Sequence, residues 1–204
     1  MAPTAQSQPY TITYQPGRLI TADEYARMPE EPGWRTELTD GRVVRIPTVK
    51  DPRHDWVLDN LTRRLSPYVF ERRLGRLTFE QVGYNIPPPY RQGDYGWAPD
   101  LAFVRAEQLP SMQAAIASKQ YVPFAPDLVV GIISPSQSRK EATEKAQTWL
   151  ASGARLVWNI WIDEQRVEVW QVDEPMDTLS VQDRLDGLEV VPGFSMPVAD
   201  LFEF

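Results

Sequence analysis

Pro126-Asp127-Leu128-Val129-Val130-Gly131-Ile132-Ile133-Ser134-Pro135-Ser136 opens the stretch, 126–161, whose reading decides the fold. Its apolar run is short, rich in β-branched residues and closed by Ser134-Pro135, the marks of a buried strand. After a polar turn, 139–152 holds strong helix formers. Ala142, Lys145, Ala146, Trp149 and Leu150 recur there at helical spacing, and Gly153 stands where a C-cap belongs. A second apolar run, 156–162, reads as another buried strand. Strand, helix and strand joined by short connections make a βαβ unit, which predicts two parallel strands in a sheet core.

The rest of the composition suits one α/β domain. A chain of 204 residues is long enough for a full core. With 42% hydrophobic and 24% charged residues it has the balance of a soluble globular protein. The absence of cysteine excludes disulfides and thiolate metal sites and suits a reducing, cytoplasmic setting. Neither a bilayer-spanning apolar run nor a signal-peptide pattern is present, so no membrane association or export is expected. The net charge of -7 counts against a general nucleic-acid coat protein but leaves room for a local basic face.

Outward from the βαβ unit, residues 1–18 are rich in Pro, Gln, Thr and Ser and read as a flexible arm. The expected domain is 19–204. Thr21 and Glu24 form a capping box for a short helix toward Met28. Residues 34–38 and 42–46, joined through Thr39-Asp40-Gly41, read as a β-hairpin. Trp56, Val57, Leu61, Leu65, Tyr68 and Val69 mark a helix over 52–74, which Pro67 should kink or split. A strand is expected over 77–86, a Pro-rich loop over 87–93, a strand over 100–104 and a helical or irregular piece over 106–117. Residues 166–172 alternate as a half-exposed strand does. Residues 179–181 and 188–191 suggest a closing hairpin, and 194–204 an apolar tail that docks.

Two strands begin with Pro-Asp, at Asp100 and at Asp127. An acid at a strand mouth is held rigidly where the strand meets solvent, which suits a metal ligand or a base. Asp beside Pro is also common in plain turns.

Taken together, several motifs give the chain a family resemblance. They are Glu37-Leu38-Thr39-Asp40-Gly41, His54 at a helix start, Ala98-Pro99-Asp100-Leu101-Ala102-Phe103-Val104, and the run from Pro126 to Ser136. Lys145 with Trp149, Gly153-Ala154-Arg155 with Trp158, and Val191-Pro192-Gly193-Phe194 complete the set. In this order they resemble the Uma-type restriction endonucleases, a bacterial branch of the PD-(D/E)XK nuclease superfamily, over most of the chain. The resemblance implies an α/β, restriction-endonuclease-like mixed sheet flanked by helices. It also implies a Mg²⁺- or Mn²⁺-dependent DNA endonuclease, acting as a homodimer because two strands need two centres. By motif, Asp100 and Glu37 would be the metal-binding acids and Lys145 the lysine that orients or deprotonates water. Those residue types suit the chemistry: hard carboxylate oxygens hold Mg²⁺, and Lys adds a positive charge nearby.

One position departs from the pattern. Where the family has Glu after Pro-Asp-Leu-Val-Val, this chain has Gly131, which offers no ligand. Asp127 is four residues away along the strand, roughly 13 Å, too far to replace it. Glu80, Glu141 and Glu144 are candidate substitutes. The alternative is a degenerate nuclease fold retained for binding nucleic acid or protein.

The remaining candidates carry two readings each. His54, the single histidine, suits the edge of an active site or a local helix-terminal hydrogen bond. Lys145 suits catalysis or a helix-surface pair with Glu141. Lys50, Arg53, Arg63, Arg64, Arg72, Arg73 and Arg76 outnumber the acids around the 52–74 helix. They read as a DNA-binding face, centred on Arg63, Arg64, Arg72 and Arg73, or as a salt-laced solvated surface. Tyr90 and Arg91 could add a stacking or phosphate contact.

Overall fold

The computed structural model describes residues 19–28, 34–47, 51–91, 93–133 and 137–203. The expected N-terminal arm, Lys50 and the Ser134-Pro135 strand end lie outside the described residues.

The capping box forms as its residues require. Thr21 Oγ1 accepts from the Glu24 amide while Glu24 accepts from the Thr21 amide, starting α1 (Ala22–Tyr25). The hairpin follows as β1 (Trp34–Thr39) and β2 (Arg42–Pro47), paired antiparallel. Asp40 and Gly41 both have positive φ, +50° and +71°, the two-residue turn that matches strand twist.

Asp51 caps α2 (Pro52–Glu71), whose Val57, Leu61, Leu65 and Val69 form a buried stripe. This helix runs without a break through Pro67. The split expected at that proline does not occur, because the stripe on either side of it packs into one core. The expected strand over 77–86 also differs. β3 (Gly75–Phe79) is shorter, and Tyr84 instead bridges Trp97 and Val122.

β4 (Leu101–Arg105), α3 (Leu109–Ala117), β5 (Leu128–Ile133), α4 (Arg139–Ala151), β6 (Leu156–Trp161), β7 (Arg166–Gln171) and β8 (Asp177–Leu179) complete the main sheet and its covering helices. Its strand order is β3-β4-β5-β6-β7-β8. Only β5 and β6 pair in parallel, joined through α4, as the βαβ reading requires. Gly153, just past α4, has φ +109°, a conformation favouring glycine after a helix.

Alternation of side chains divides the core. Leu101, Phe103, Val130, Ile132, Trp158 and Ile160 face α2, while Ala102, Val104, Val129 and Val157 face α3 and α4. The tail docks on the α2 side through Phe194, Met196, Val198, Leu201 and Phe202. The closing hairpin is formed by other residues than expected: β9 (Arg184–Asp186) pairs with β10 (Ser195–Pro197), and 188–191 lies in the turn between them. The Gly187 amide bonds the Phe194 carbonyl and Leu188 takes φ +48°, so this apolar run bends rather than extends.

Candidate active site

Glu37 and Lys145 are 108 positions apart in sequence, and the fold brings Lys145 Nζ to 2.6 Å from Glu37 Oε2. Glu37 is on β1 with its side chain 6% exposed; Lys145 projects from the second turn of α4. Trp97 lies 5.3 Å from the ammonium, ring centroid to Nζ, adding a cation–π contact. Lys145 thus pairs across the fold rather than with Glu141, which is used in the Ser138 capping box.

Asp100 sits at the mouth of β4, 15% exposed. One carboxylate oxygen accepts the Ile132 amide at 2.7 Å; the other lies 3.2 Å from His54 Nε2 at the start of α2. Burial pushes the Asp100 carboxyl up. The hydrogen bond and charge of His54, the Ile132 amide and Arg35 outweigh that and hold it below the ordinary carboxylate value. The Asp100 carboxylate is therefore ionised at neutral pH. His54 Nδ1 is 3.3 Å from Asp55, so this histidine joins the start of α2 to the Asp100 carboxylate.

Arg35, which the motif reading passed over, links these two pairs. It donates to the Ala98 carbonyl at 2.6 Å and lies 3.5 Å from Glu37 and 3.9 Å from Glu80. Its signal in the sequence is its position two residues before Glu37, on the same strand face. Arg35, Thr36, Glu37, Glu80, Ala98 and Tyr121 line a cleft of about 280 Å³. Burial raises the hydroxyl pKa of Tyr121 well above the ordinary tyrosine value, so it stays neutral.

Gly131 lies beside Asp100, since Leu101 pairs with Val130 and the Asp100 carboxylate bonds the next amide along β5. Of the candidate substitutes, Glu80 reaches the cleft. Glu141 is a capping residue, and Glu144 is 62% exposed, 3.9 Å from Lys140. Asp127 is 3% exposed and bound to the Arg105 amide and guanidinium, both at 3.0 Å. It is a structural anchor. Among the described residues no three His, Asp or Glu side chains are grouped to hold a metal ion.

The basic residues of α2 are mostly paired. Arg63 meets Asp59 at 2.7 Å, Arg64 meets Asp200 at 2.9 Å, and Arg72 stacks 3.9 Å over Tyr68. Arg73 follows the helix with φ +54°. Arg91 lies 3.8 Å from Asp40. No helix among the described residues is long and apolar enough to cross a membrane.

Comparison with known proteins agrees with this architecture. The crystal structure of a putative nuclease of family DUF820 from Anabaena variabilis superposes with a TM-score of 0.72 at 21% identity. The match covers 90% of this chain and 97% of that one, and it shows a common fold. No curated protein matches. The family model named Uma2, described as a putative restriction endonuclease, matches residues 22–199. The mixed sheet, the paired Glu37 and Lys145 and the Asp100 strand mouth all lie within that match, and the chain belongs to the Uma2 family.

Proposed function

We propose that the protein is a divalent-metal-dependent DNA endonuclease of the PD-(D/E)XK type, working as a cytoplasmic homodimer. The observation that carries this reading is the convergence of Lys145 on Glu37, beside a cleft lined by Arg35 and by Ala98, two residues before Asp100.

The donor set fits a hard cation. Asp100 and Glu37 offer carboxylate oxygens, and Mg²⁺ is commonly held by one or two carboxylates with water and substrate phosphate completing its shell. Asp100 and Glu37 would hold the ion, which supplies Lewis-acid stabilisation of the phosphodiester and a more acidic water. The protein's own groups account for the rest. His54 and the Ile132 amide orient Asp100 and keep it ionised. Lys145, fixed by Glu37 and Trp97, holds a proton at Nζ and can hydrogen-bond the attacking water or a phosphate oxygen. Arg35 presents a second positive charge to the phosphate across the same cleft. Arg63 and Arg64 extend the contact to flanking DNA phosphates by exchanging Asp59 and Asp200 for phosphate, and Arg72 and Arg73 add their charges at the end of the same helix.

A supercoiled plasmid incubated with Mg²⁺ or Mn²⁺ tests the reading. Nicking by the parent and its loss in Asp100→Ala and Lys145→Met are expected. A parent that leaves the plasmid intact with either ion overturns it. The second reading, a degenerate binding module, is favoured by Gly131 alone and predicts DNA retention on a gel without nicking.

A further inference from the structure

Asn159 stands inside an otherwise apolar strand, Leu156–Trp161, every residue of which is buried. Its place in the sheet gives it a purpose. The parallel register sets Asn159 directly across from Gly131, on the same face of the sheet. On the other side of Gly131 lies Asp100, whose carboxylate accepts the Ile132 amide. The one residue of this row without a side chain is therefore flanked by two with oxygen donors.

The orientation of the carboxamide follows from its partner. Asn159 Nδ2 donates to the Ala142 carbonyl of α4 at 3.3 Å, and the carboxamide oxygen has no proton to offer a carbonyl, so the flip is set. The oxygen is left on the side of Gly131. A Cβ built on Gly131 would lie 3.4 Å from Asn159 Oδ1. The carboxamide oxygen thus leans toward the space that a side chain at 131 would enter.

Neighbouring strands are about 4.8 Å apart, so backbones two strands apart are separated by roughly 10 Å. Side chains of one row stand roughly perpendicular to the sheet. Asp100, however, leans onto the Ile132 amide, and the Asn159 oxygen leans toward Gly131. This narrows the span from both sides toward the two bonds of about 2.1–2.4 Å that a shared ion needs. A neutral amide oxygen is a hard donor of the kind Mg²⁺, Mn²⁺ and Ca²⁺ accept. Glu168 follows next in the row, opposite Asn159, but it lies a further strand from Asp100; its Oε1 is bound to Arg166 at 2.8 Å and its buried Oε2 is unpaired.

We propose that Asn159 Oδ1 is a metal ligand that takes over from the carboxylate absent at position 131, with Asp100 as its partner across Gly131. The inference rests on the metal-dependent reading above and assigns that site its third protein oxygen. Replacing a charged ligand with a neutral one lowers the charge of the site and weakens its hold on a divalent ion when DNA is absent.

Mn²⁺ binding followed by electron paramagnetic resonance of the free ion tests it, using the full chain, Asn159→Leu, Asn159→Asp and Asp100→Ala, with circular dichroism as the check on folding. Expected is a parent that binds Mn²⁺, a loss of at least about tenfold in Asn159→Leu, the scale of even an outer-sphere loss, and tighter binding in Asn159→Asp. The aspartate variant keeps the oxygen and the size, so it separates ligation from the contact with α4. Equal Mn²⁺ affinity in the parent and in folded Asn159→Leu overturns the Asn159 assignment while the metal reading stands. Unchanged or weaker binding in folded Asn159→Asp also overturns it. Mn²⁺ binding that depends on Asn159 but is accompanied by no plasmid nicking supports the assignment and overturns the nuclease. A parent that takes up no Mn²⁺ overturns both.

Discussion

Lys145 Nζ and Glu37 Oε2, 2.6 Å apart, tie the hairpin to the central helix of the sheet. Removing Lys145 strands Glu37, whose side chain is 6% exposed, without this partner. Lys145→Met is expected to destabilise the fold by about 1–3 kcal/mol, and Lys145→Met with Glu37→Gln by less than the two single losses added together. Urea denaturation of the four proteins of this cycle checks it; strict additivity would show that the pair is not coupled. Nuclease activity should fall at least about a hundredfold in the single lysine variant, as for loss of one electrostatic group.

The two Pro-Asp motifs should separate cleanly. Asp127→Ala removes charge-assisted bonds to Arg105 from a side chain 3% exposed, and is expected to cost about 1.5–3 kcal/mol. The folded fraction should cut DNA as the parent does. Asp100→Asn should lose cutting while remaining folded. Thermal melts beside plasmid nicking decide it, and a reversal of the two phenotypes would refute the assignment of roles.

Acid stability reports on Asp100. Its folded pKa lies below the unfolded value of about 3.9, so its contribution is fully present above that value and is lost as pH falls through the folded one. Asp100→Asn should therefore flatten the acid limb of the stability curve below about pH 4 and leave its shape near neutrality unchanged. Urea midpoints measured from pH 2.5 to 7 give the comparison. Superimposable acid limbs would show that Asp100 gains nothing from its partners.

Gly131→Glu is expected to fold. A Cβ there would contact Asn159 Oδ1 at 3.4 Å and Ile133 Cδ1 at 3.7 Å, close but without backbone collision. A stability change within about 2 kcal/mol is expected, together with Mn²⁺ binding tighter by about tenfold from the added carboxylate. Calorimetric titration checks both the fold and the affinity; unchanged affinity in the folded variant would place the ion elsewhere.

Arg72→Ala and Arg73→Ala should each weaken DNA binding without regard to sequence and lower the slope of log affinity against log salt by about one. Filter binding between low and moderate salt reads this directly. An unaltered slope would mark the α2 face as solvated surface.

Much of the fold around the candidate site is legible in the sequence, and the exceptions have physical causes. The βαβ unit announced itself because β-branched runs, helix formers at helical spacing and a glycine stop agree over 126–161. The terminal hairpin did not: its strands are three residues each, and Leu188 to Val191, apolar enough for a strand, are bent by contacts around Gly187 and Phe194. Pro67 misled because the core packing on both sides of it outweighs one missing amide. Asn159 was invisible in a single apolar run and becomes a candidate ligand only once parallel register places it across from Gly131. Arg35 needed the opposite step, a fold that brings Ala98 and Glu80 to the hairpin.

The middle of α2 is latched by the docked tail: Asn60 donates to the Leu201 carbonyl, 141 positions later in sequence, and to the Glu203 carbonyl, while Arg64 holds Asp200. The helix so fastened begins with His54, the partner of Asp100. During synthesis on the ribosome, α2 emerges long before the residues that clamp it. The contacts that clamp this helix thus form only after residues 200–203 have been made, later than every strand of the main sheet.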